Sequence, residues 1–314
     1  MIYIGQILHH HSKIHIRAVL IMKHFRSILS TILFFLLYFF NWKKQVVFAN
    51  YLYIYSDSSL KNANSFYKKI LKKLSRQAID FLFYMTPFKN APNKMMNYPF
   101  YFNDLKLEID KSSFDTINKM KAGGLFMTAH YGNYEAIGPW LCKMGIPLKA
   151  SYAPIKPLFL NKILENKVRA ANNESYSIFI NNPKNILDLI DEGKLFCLIA
   201  DQDYRKSNPI QSTFLGKPVL CNPIPEFILK HRPNTPIYFC HLQENHNDIV
   251  LFAKEITLQN HDINLIYPQF HQWLEELILQ NNEFWYGWTH RRFLGKNSNS
   301  SIYPQNIHKA SNIT

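Results

Sequence analysis

Short apolar segments alternate with longer amphipathic ones from Gly123 onward. Several short segments are apolar on both faces, which is typical of strands inside a parallel sheet, while the longer ones carry apolar residues at helical spacing. The predicted strands are residues 124–129, 148–153, 176–180, 195–200, 237–242 and 249–253, and the predicted helices are residues 135–144, 158–172, 183–192, 223–232 and 263–280. This alternation predicts an α/β fold, with a mainly parallel central sheet flanked by helices.

A charge-free apolar run covers residues 27–42, between Arg26 and Lys43. As a helix it would be roughly 24 Å long, shorter than the roughly 30 Å hydrocarbon core of a bilayer, although flanking Lys and Arg side chains can extend its reach. A cleaved signal peptide fits poorly, because Lys43 and Lys44 follow instead of small residues. A buried core helix is the remaining alternative. We expect an uncleaved, N-terminal membrane-anchoring helix within residues 22–44.

The net charge of +14 is concentrated near the N-terminus. Residues 1–94 contain 14 Lys and Arg but only two acidic residues, so the rest of the chain is nearly neutral. A basic segment beside an apolar anchor predicts an anionic membrane as its partner, and no nucleic acid. A predicted helix at residues 64–84 carries several of these lysines; it packs on the core as a solvated surface helix, lies on the membrane interface, or does both.

The pattern divides the chain into five regions. They are a possible upstream extension at residues 1–21, the anchor at 22–44, a basic helical membrane-associated region at 45–122, an α/β catalytic core at 123–296 and a flexible tail at 297–314. The four cysteines have apolar neighbours and form no C-x-x-C pair, which predicts buried thiols in a reducing compartment. The body should therefore face the cytoplasm. The sequence indicates no metal site and no cofactor.

Candidate chemistry lies at the end of the first core strand. His130 follows the strand at residues 124–129, Gly132 permits a tight turn, and Glu135 begins the next predicted helix. Across such a junction a carboxylate can hold one imidazole nitrogen and leave the other free as a base. The H-x-x-x-x-E spacing is a weak signal by itself, and a structural histidine in a loop is the alternative.

The segment HYGNYE at residues 130–135 resembles the H-x-x-x-x-[DE] motif of the lysophospholipid acyltransferase superfamily. It has the Glu form that is typical of the lipid A biosynthesis (lauroyl/myristoyl) acyltransferases. Further blocks resemble that family in the same order: YAP at 152–154 followed by Asn161, Leu164 and Arg169, then LIADQD at 198–203, FLGKP at 214–218 and EFWYGWTHRRF at 283–293. The resemblance extends from about residue 25 to residue 295.

The resemblance implies a glycerolphosphate-acyltransferase-like fold and direct O-acyl transfer. An acyl thioester on acyl carrier protein would donate the chain to a hydroxyl of a lipid A precursor or a similar glycolipid. His130 would be the general base and Glu135 would fix its tautomer. The absence of a G-x-S-x-G sequence agrees with a mechanism that needs no covalent intermediate. The enzyme would lie on the inner (cytoplasmic) membrane, with its catalytic body on the cytoplasmic side.

The resemblance also implies substrate-binding residues. Backbone N–H groups around Gly132 and Asn133, or the side chain of Arg169, would stabilise the oxyanion. Arg169 would bind a phosphate or the carbonyl oxygen with Asp201 orienting it, unless the two form a structural ion pair. Another set, His290, Arg291 and Arg292, would either bind phosphate or sugar acid on the acceptor or pack the C-terminal segment onto the body.

Two departures from the family pattern leave the acceptor open, and one is the stretch DYRK at 203–206, which is more basic than usual. Ala153 stands where the family commonly has Arg, so that one anionic contact is missing. A different glycolipid or aminolipid acceptor therefore fits the same catalytic residues. The alternatives from other classes are a membrane-bound thioesterase that uses water at His130, and a non-catalytic basic membrane scaffold.

Overall fold

The computed structural model describes residues 24–80, 99–102, 105–151, 162, 170–171, 174–178, 182–245, 248–293 and 302–303. Its main helices are α1 (His24–Phe39), α2 (Lys44–Ile54), α3 (Leu60–Asp80), α4 (Phe114–Lys119), α5 (Ile137–Lys143), α6 (Lys184–Asp191), α7 (Ile224–His231) and α8 (Ile266–Gln280). The strands are β1 (Phe100–Phe102), β2 (Leu105–Ile109), β3 (Gly124–Thr128), β4 (Leu148–Ser151), β5 (Ala170–Ala171), β6 (Glu174–Ser175), β7 (Ser177–Ile178), β8 (Leu195–Ile199), β9 (Ile210–Phe214), β10 (Lys217–Cys221), β11 (Ile237–Asn245) and β12 (Asp248–Ile256).

Eight strands form one sheet in the order β1-β2-β12-β11-β3-β8-β4-β7. Only the β1–β2 and β11–β12 pairs are antiparallel, while β3 lies between two parallel neighbours, β11 and β8. The predicted mainly parallel sheet with flanking helices is therefore confirmed. Because β3 and β8 run parallel, the loops that follow them leave the sheet at the same edge.

Both faces of the sheet are covered, which explains why β3 is buried along its whole length. Leu125 and Met127 face a core shared with α3, α7 and α8, whereas Phe126 faces the opposite core, where Trp140 of α5 packs. Alternate residues of a strand point to opposite faces, so a run that is apolar on both faces up to Thr128 is the pattern that a doubly covered strand requires.

Several local predictions differ from the structure, and one is the helical region predicted at residues 45–122, which contains β1 and β2 of the central sheet. Ala170 and Ala171 were expected at the end of a helix over residues 158–172, but they form a strand that pairs with Glu174 and Ser175. Apart from Lys162, the remainder of that predicted helix lies outside the described residues. The sequence pattern also missed the β9–β10 hairpin, whose turn places Leu215 and Gly216 at φ 50° and 69°. Its alternating polar and apolar residues are those of a half-exposed ribbon.

The N-terminal apolar run is not one continuous helix. Asn41 and Lys43 have left-handed backbone angles, with φ of 49° and 56°, so α1 ends at Phe39 and α2 leaves at an angle of 83°. Among the described residues no single helix is both long enough and apolar enough to cross a bilayer, although α1 and α2 together meet that criterion by length and composition. The expected single anchoring helix is thus corrected to a bent pair.

Helix α1 is apolar on two faces that have different surroundings. Phe34 and Tyr38 pack toward α3, where the rings of Tyr38 and Tyr67 are 6.1 Å apart. The opposite face exposes a row of large apolar side chains: Phe25, Ile28, Ile32, Phe35, Leu36, Phe39 and Phe40. Helix α3 buries Phe66, Tyr67 and Ile70 against the core and leaves its lysine-rich face outward, so it packs on the body as a surface helix.

Candidate active site

The loop after β3 presents His130 at the edge of the sheet. Thr128 ends the strand by donating its hydroxyl to the carbonyl of Cys240 at 2.8 Å. Gly132 then adopts φ +59°, and a Cβ at this position would lie 3.0 Å from the carbonyl oxygen of Leu242. The turn therefore requires glycine both for its backbone angle and for its contact with β11. His130 keeps 13% of its side-chain surface exposed.

The C-terminal segment holds this loop in place. Tyr131 and Trp285 form an antiparallel bridge. The amide of Gly132 donates to the carbonyl of Phe284 at 3.0 Å, and the amide of Tyr286 donates to the carbonyl of His130 at 2.8 Å. The aromatic segment near the C-terminus is thus part of the support of the site.

Asp201 lies beside His130 because of the strand register. Thr128 of β3 pairs with Ile199 of β8, and His130 and Asp201 each follow two residues later. Oδ1 of Asp201 is 2.7 Å from Nδ1 of His130, and its Oδ2 accepts from the His130 backbone amide at 3.2 Å. Trp285 also donates its Nε1 hydrogen to Oδ2 at 2.8 Å. The carboxylate is fully buried and bonded through both oxygens.

The protonation state of Asp201 fixes the tautomer of His130. Burial raises the pKa of the Asp201 carboxyl, but the charge of His130 and the hydrogen bonds from His130 and Trp285 outweigh it and lower the pKa to about 2. An ionised carboxylate only accepts hydrogen bonds, so Nδ1 of His130 carries the proton. Nε2 is then the basic nitrogen of the ring, and Nε2 of Gln202 lies 3.4 Å from it.

His130 opens into a cavity of about 460 Å³. The cavity lies against the face of the sheet that α5 covers, and both polar and apolar groups line it. The polar side chains of the lining are Thr128, His130, Tyr134, Glu135, Ser151, Ser177, Gln202, Tyr286 and His290, and the remaining lining residues are Phe126, Ile137, Gly138, Leu148, Ala150, Tyr176, Cys197, Leu198 and Ile199. Burial raises the pKa of the Cys197 thiol, so that this cysteine stays protonated and is a poor nucleophile.

Glu135 lines the same cavity as His130, at the start of the short helical turn before α5. The carboxylate on Nδ1 of His130 is nevertheless that of Asp201. The expectation that Glu135 fixes the tautomer of His130 therefore stays a prediction. In the structure, Asp201 is the carboxylate in position to fix that tautomer. Asn133 is buried at the same turn, with 8% of its surface exposed, and its role in substrate binding also stays a prediction.

The basic residues of the predicted site have separate locations. Arg169 lies outside the described residues, so its pairing with Asp201 is not observed. Arg291 is half-buried near the end of the described core, and its contact with substrate stays a prediction. Arg292 is 1% exposed, donates to the carbonyl of Leu220 at 3.0 Å and lies 3.7 Å from Asp203. Of the two roles considered for Arg292, the structure supports packing of the C-terminal segment.

His290 is a second imidazole beside His130. The two ring centroids are 6.2 Å apart, and the ring of Tyr286 packs on His290 at 4.8 Å. Burial, followed by the charge of His130, lowers the pKa of His290 to about 4. His290 is therefore neutral at neutral pH and does not compete with His130 as a charged group. Its backbone carbonyl accepts from the amide nitrogen of Asn50 at 2.8 Å, which ties this part of the site to α2.

Two supporting residues were missed from the sequence. Trp285 and Gln202 each lie in a segment that resembles the family. Neither side chain is of a type that predicts the observed contacts, which join Trp285 to Asp201 and Gln202 to His130. Both residues are far from His130 in the sequence, so no local pattern predicts these contacts. The contacts arise because β8 lies next to β3 and because the C-terminal segment packs on the loop after β3.

The family of the chain is shown by comparison with family models. The model of the bacterial lipid A biosynthesis acyltransferases matches residues 65–295, which is 231 of the 314 residues. The matched range includes His130, Asp201, the cavity and the C-terminal aromatic segment. No curated protein matches the chain.

Proposed function

Since the chain belongs to the bacterial lipid A biosynthesis acyltransferase family, we propose that it moves a fatty acyl group from an acyl carrier protein thioester to a hydroxyl of a lipid A precursor. The observation that carries this proposal is the His130–Asp201 pair at the mouth of a largely apolar cavity. A base at a polar edge and an apolar space beside it suit a hydroxyl acceptor and a fatty acyl donor.

His130 acts as the general base in this mechanism. Nε2 takes the proton of the acceptor hydroxyl while the hydroxyl oxygen attacks the thioester carbonyl carbon. The new C–O bond forms, the C–S bond breaks, and the imidazolium returns its proton to the departing sulfur. Asp201 is a positioning residue that holds Nδ1 and stabilises the imidazolium through the 2.7 Å contact. Glu135 adds a second carboxylate on the cavity side, as the family motif implies.

Stabilisation of the oxyanion is proposed for groups near the same loop. The candidates are the backbone N–H groups around Asn133 and the side chain of Arg169. The amide of Gly132 already donates to Phe284, so it is the less suitable donor of that turn. A neutral His290 lining the cavity supplies a further N–H group close to His130.

The acyl chain of the donor is proposed to occupy the apolar part of the cavity. Phe126 and Cys197 come from adjacent strands at the same register and face α5. Removal of methylene groups from water into such a surface stabilises binding by about 0.8 kcal/mol for each CH₂. The apolar lining therefore favours a fatty acyl thioester over a small acyl group.

Membrane attachment is proposed through the exposed face of α1. Phe35 and Phe39 are 61% and 78% exposed on a helix whose other face packs on the body. Lys68 and Lys69 on α3 are exposed near Tyr38 of α1, where Lys68 lies 5.3 Å above the ring. Exposed aromatic side chains beside lysines suit the interface of an anionic bilayer. The same positive charge suits acyl carrier protein, which is acidic, and we propose that the body lies on the cytoplasmic side of the membrane.

Product analysis separates this proposal from the alternatives. The purified enzyme in detergent would receive acyl carrier protein thioester with and without a lipid A precursor, and mass spectrometry would identify acylated lipid and free fatty acid. The proposal expects acylated lipid that depends on the precursor, whereas a thioesterase releases fatty acid without it. His231→Ala, an exposed histidine on α7 remote from the cavity residues, is the matched control for His130→Ala.

A further inference from the structure

Tyr176 lines the cavity from the side of the sheet that is away from β3. Its ring is buried, belongs to the core between the sheet and α5, and lines the cavity that His130 opens into. The backbone carbonyl of Tyr176 accepts from the amide of Ala150 at 2.9 Å, which fixes its level on β4.

The strand register separates Tyr176 from the catalytic edge in two directions. Ser177 pairs with Ala150, Ala150 with Cys197, and Cys197 with Phe126. Tyr176 is thus one residue before the level of Phe126 and three before that of Thr128, which is roughly 10 Å along the strands. The β7 strand is the third neighbour from β3, which adds roughly 14 Å across the sheet. The backbone of Tyr176 therefore lies away from the catalytic edge, and its ring extends from there to Gly138 near the start of α5.

Helix α5 accommodates the ring because it has a glycine at the contact. A Cβ on Gly138 would lie 2.5 Å from both Cζ and Oη of Tyr176. The ring therefore touches the helix backbone directly and fills the space between helix and sheet. Between this ring and the catalytic edge, the sheet presents the small side chain of Ala150, which leaves the middle of the cavity open.

We propose that Tyr176, seated against Gly138, sets the longest acyl chain that the enzyme accepts. The inference rests on the proposed function, because it assigns the apolar cavity to the acyl group of the donor. A chain whose carbonyl lies at His130 and whose tail follows this face of the sheet ends against the Tyr176 ring. Longer chains must displace a buried aromatic side chain, and shorter ones leave apolar surface in front of it uncovered.

A series of acyl carrier protein thioesters with 10 to 18 carbons tests this role. Tyr176→Ala should move the preferred length up by at least two carbons, with a gain of about tenfold in relative kcat/KM for the longer chain. Tyr176→Phe keeps the ring and should keep the wild-type ranking. Ala150→Leu fills the middle of the cavity and should move the preference to shorter chains. An unchanged ranking in a folded Tyr176→Ala would overturn the inference and leave the acyltransferase proposal intact.

Binding of free fatty acids gives a second reading that needs no acceptor. Displacement of a fluorescent fatty acid should show the same shifts in preferred length for the two variants, each checked for folding by its melting temperature. If the wild type transfers no acyl chain of any length, the proposed function fails. If the preferred length in the binding assay is also unchanged in Tyr176→Ala, Tyr176 does not limit the chain length. If Tyr176→Ala does not fold, Ala150→Leu decides, since it adds volume to a half-buried position.

Discussion

Nδ1 of His130 lies 2.7 Å from Oδ1 of Asp201, a residue 71 positions later in the chain. The two side chains meet because each follows a paired strand residue by the same two positions, His130 after Thr128 and Asp201 after Ile199. Trp285 holds the second oxygen of the same carboxylate. The catalytic loop, the end of β8 and the C-terminal aromatic segment thus converge on one buried carboxylate.

The first prediction concerns which carboxylate positions His130. Asp201→Asn should lower kcat by about 10²–10⁴-fold, because a neutral amide no longer fixes the tautomer or stabilises the imidazolium. Glu135→Gln should lower kcat less than Asp201→Asn. Kinetics of both variants at equal melting temperature provide the measurement. A larger loss in Glu135→Gln would assign the orienting role to Glu135 instead.

A second prediction concerns stability in mild acid. Burial lowers the pKa of His241 to about 4 and that of His271 to about 3, and His290 is lowered to about 4. The unfolded chain binds these protons near pH 6.5 and the folded one does not, so the contribution of these histidines to stability is full above pH 6.5 and is lost as the pH drops toward 4. Each histidine contributes about 1.4 kcal/mol per pH unit in that window.

Urea unfolding at intervals from pH 7.5 to 4.5 measures this slope. His241→Phe removes one of the three protons, and its ring replaces an imidazole that stacks on Phe252 at 5.0 Å. The variant should therefore lose stability less steeply than the wild type. Asp201 does not contribute in this window, because its depressed pKa costs stability only below about pH 4. Equal slopes for variant and wild type would refute the assignment to buried histidines.

Adjacent arginines provide the third prediction. Arg292→Met should lower the free energy of unfolding by about 1–3 kcal/mol, because the carbonyl of Leu220 loses its donor and Asp203 keeps only Arg205 of its two cations. Arg291→Ala, at a half-buried position, should change stability much less and raise KM for a phosphorylated acceptor if its predicted contact exists. Chemical denaturation and steady-state kinetics distinguish the two. Equal stability losses would show that both arginines are structural.

The fourth prediction concerns membrane attachment. Replacing Phe35 and Phe39 together by Asp should weaken binding to vesicles of anionic phospholipid by at least about a hundredfold, because each exposed phenyl ring contributes roughly 1.5–3 kcal/mol when it leaves water. Leu279→Asp is the matched control, since Leu279 is also 78% exposed but lies on α8. Vesicle sedimentation at two salt concentrations measures the effect. Unchanged sedimentation of the double variant would contradict attachment through this face.

Local features of the fold and the site could be predicted from the sequence. The segments that became β3 and β8 are apolar on both faces, and this burial pattern is visible without knowing the neighbours. His130 at a strand end followed by Gly132 is likewise a local signal. The pairing of His130 with Asp201 was not predictable, because it depends on β8 lying next to β3 in the sheet. The bend after α1 was missed because Asn41 and Lys43 adopt left-handed angles inside an apolar run.

The central claim is that His130 is the base for acyl transfer to a glycolipid hydroxyl. The most direct test is the single-turnover rate of transfer from acyl carrier protein thioester to a lipid A precursor, compared between wild type and His130→Ala at matched folding. The account predicts that the variant loses at least about a hundredfold in rate, while His231→Ala keeps the wild-type rate. Transfer by His130→Ala at a rate near that of the wild type would contradict it.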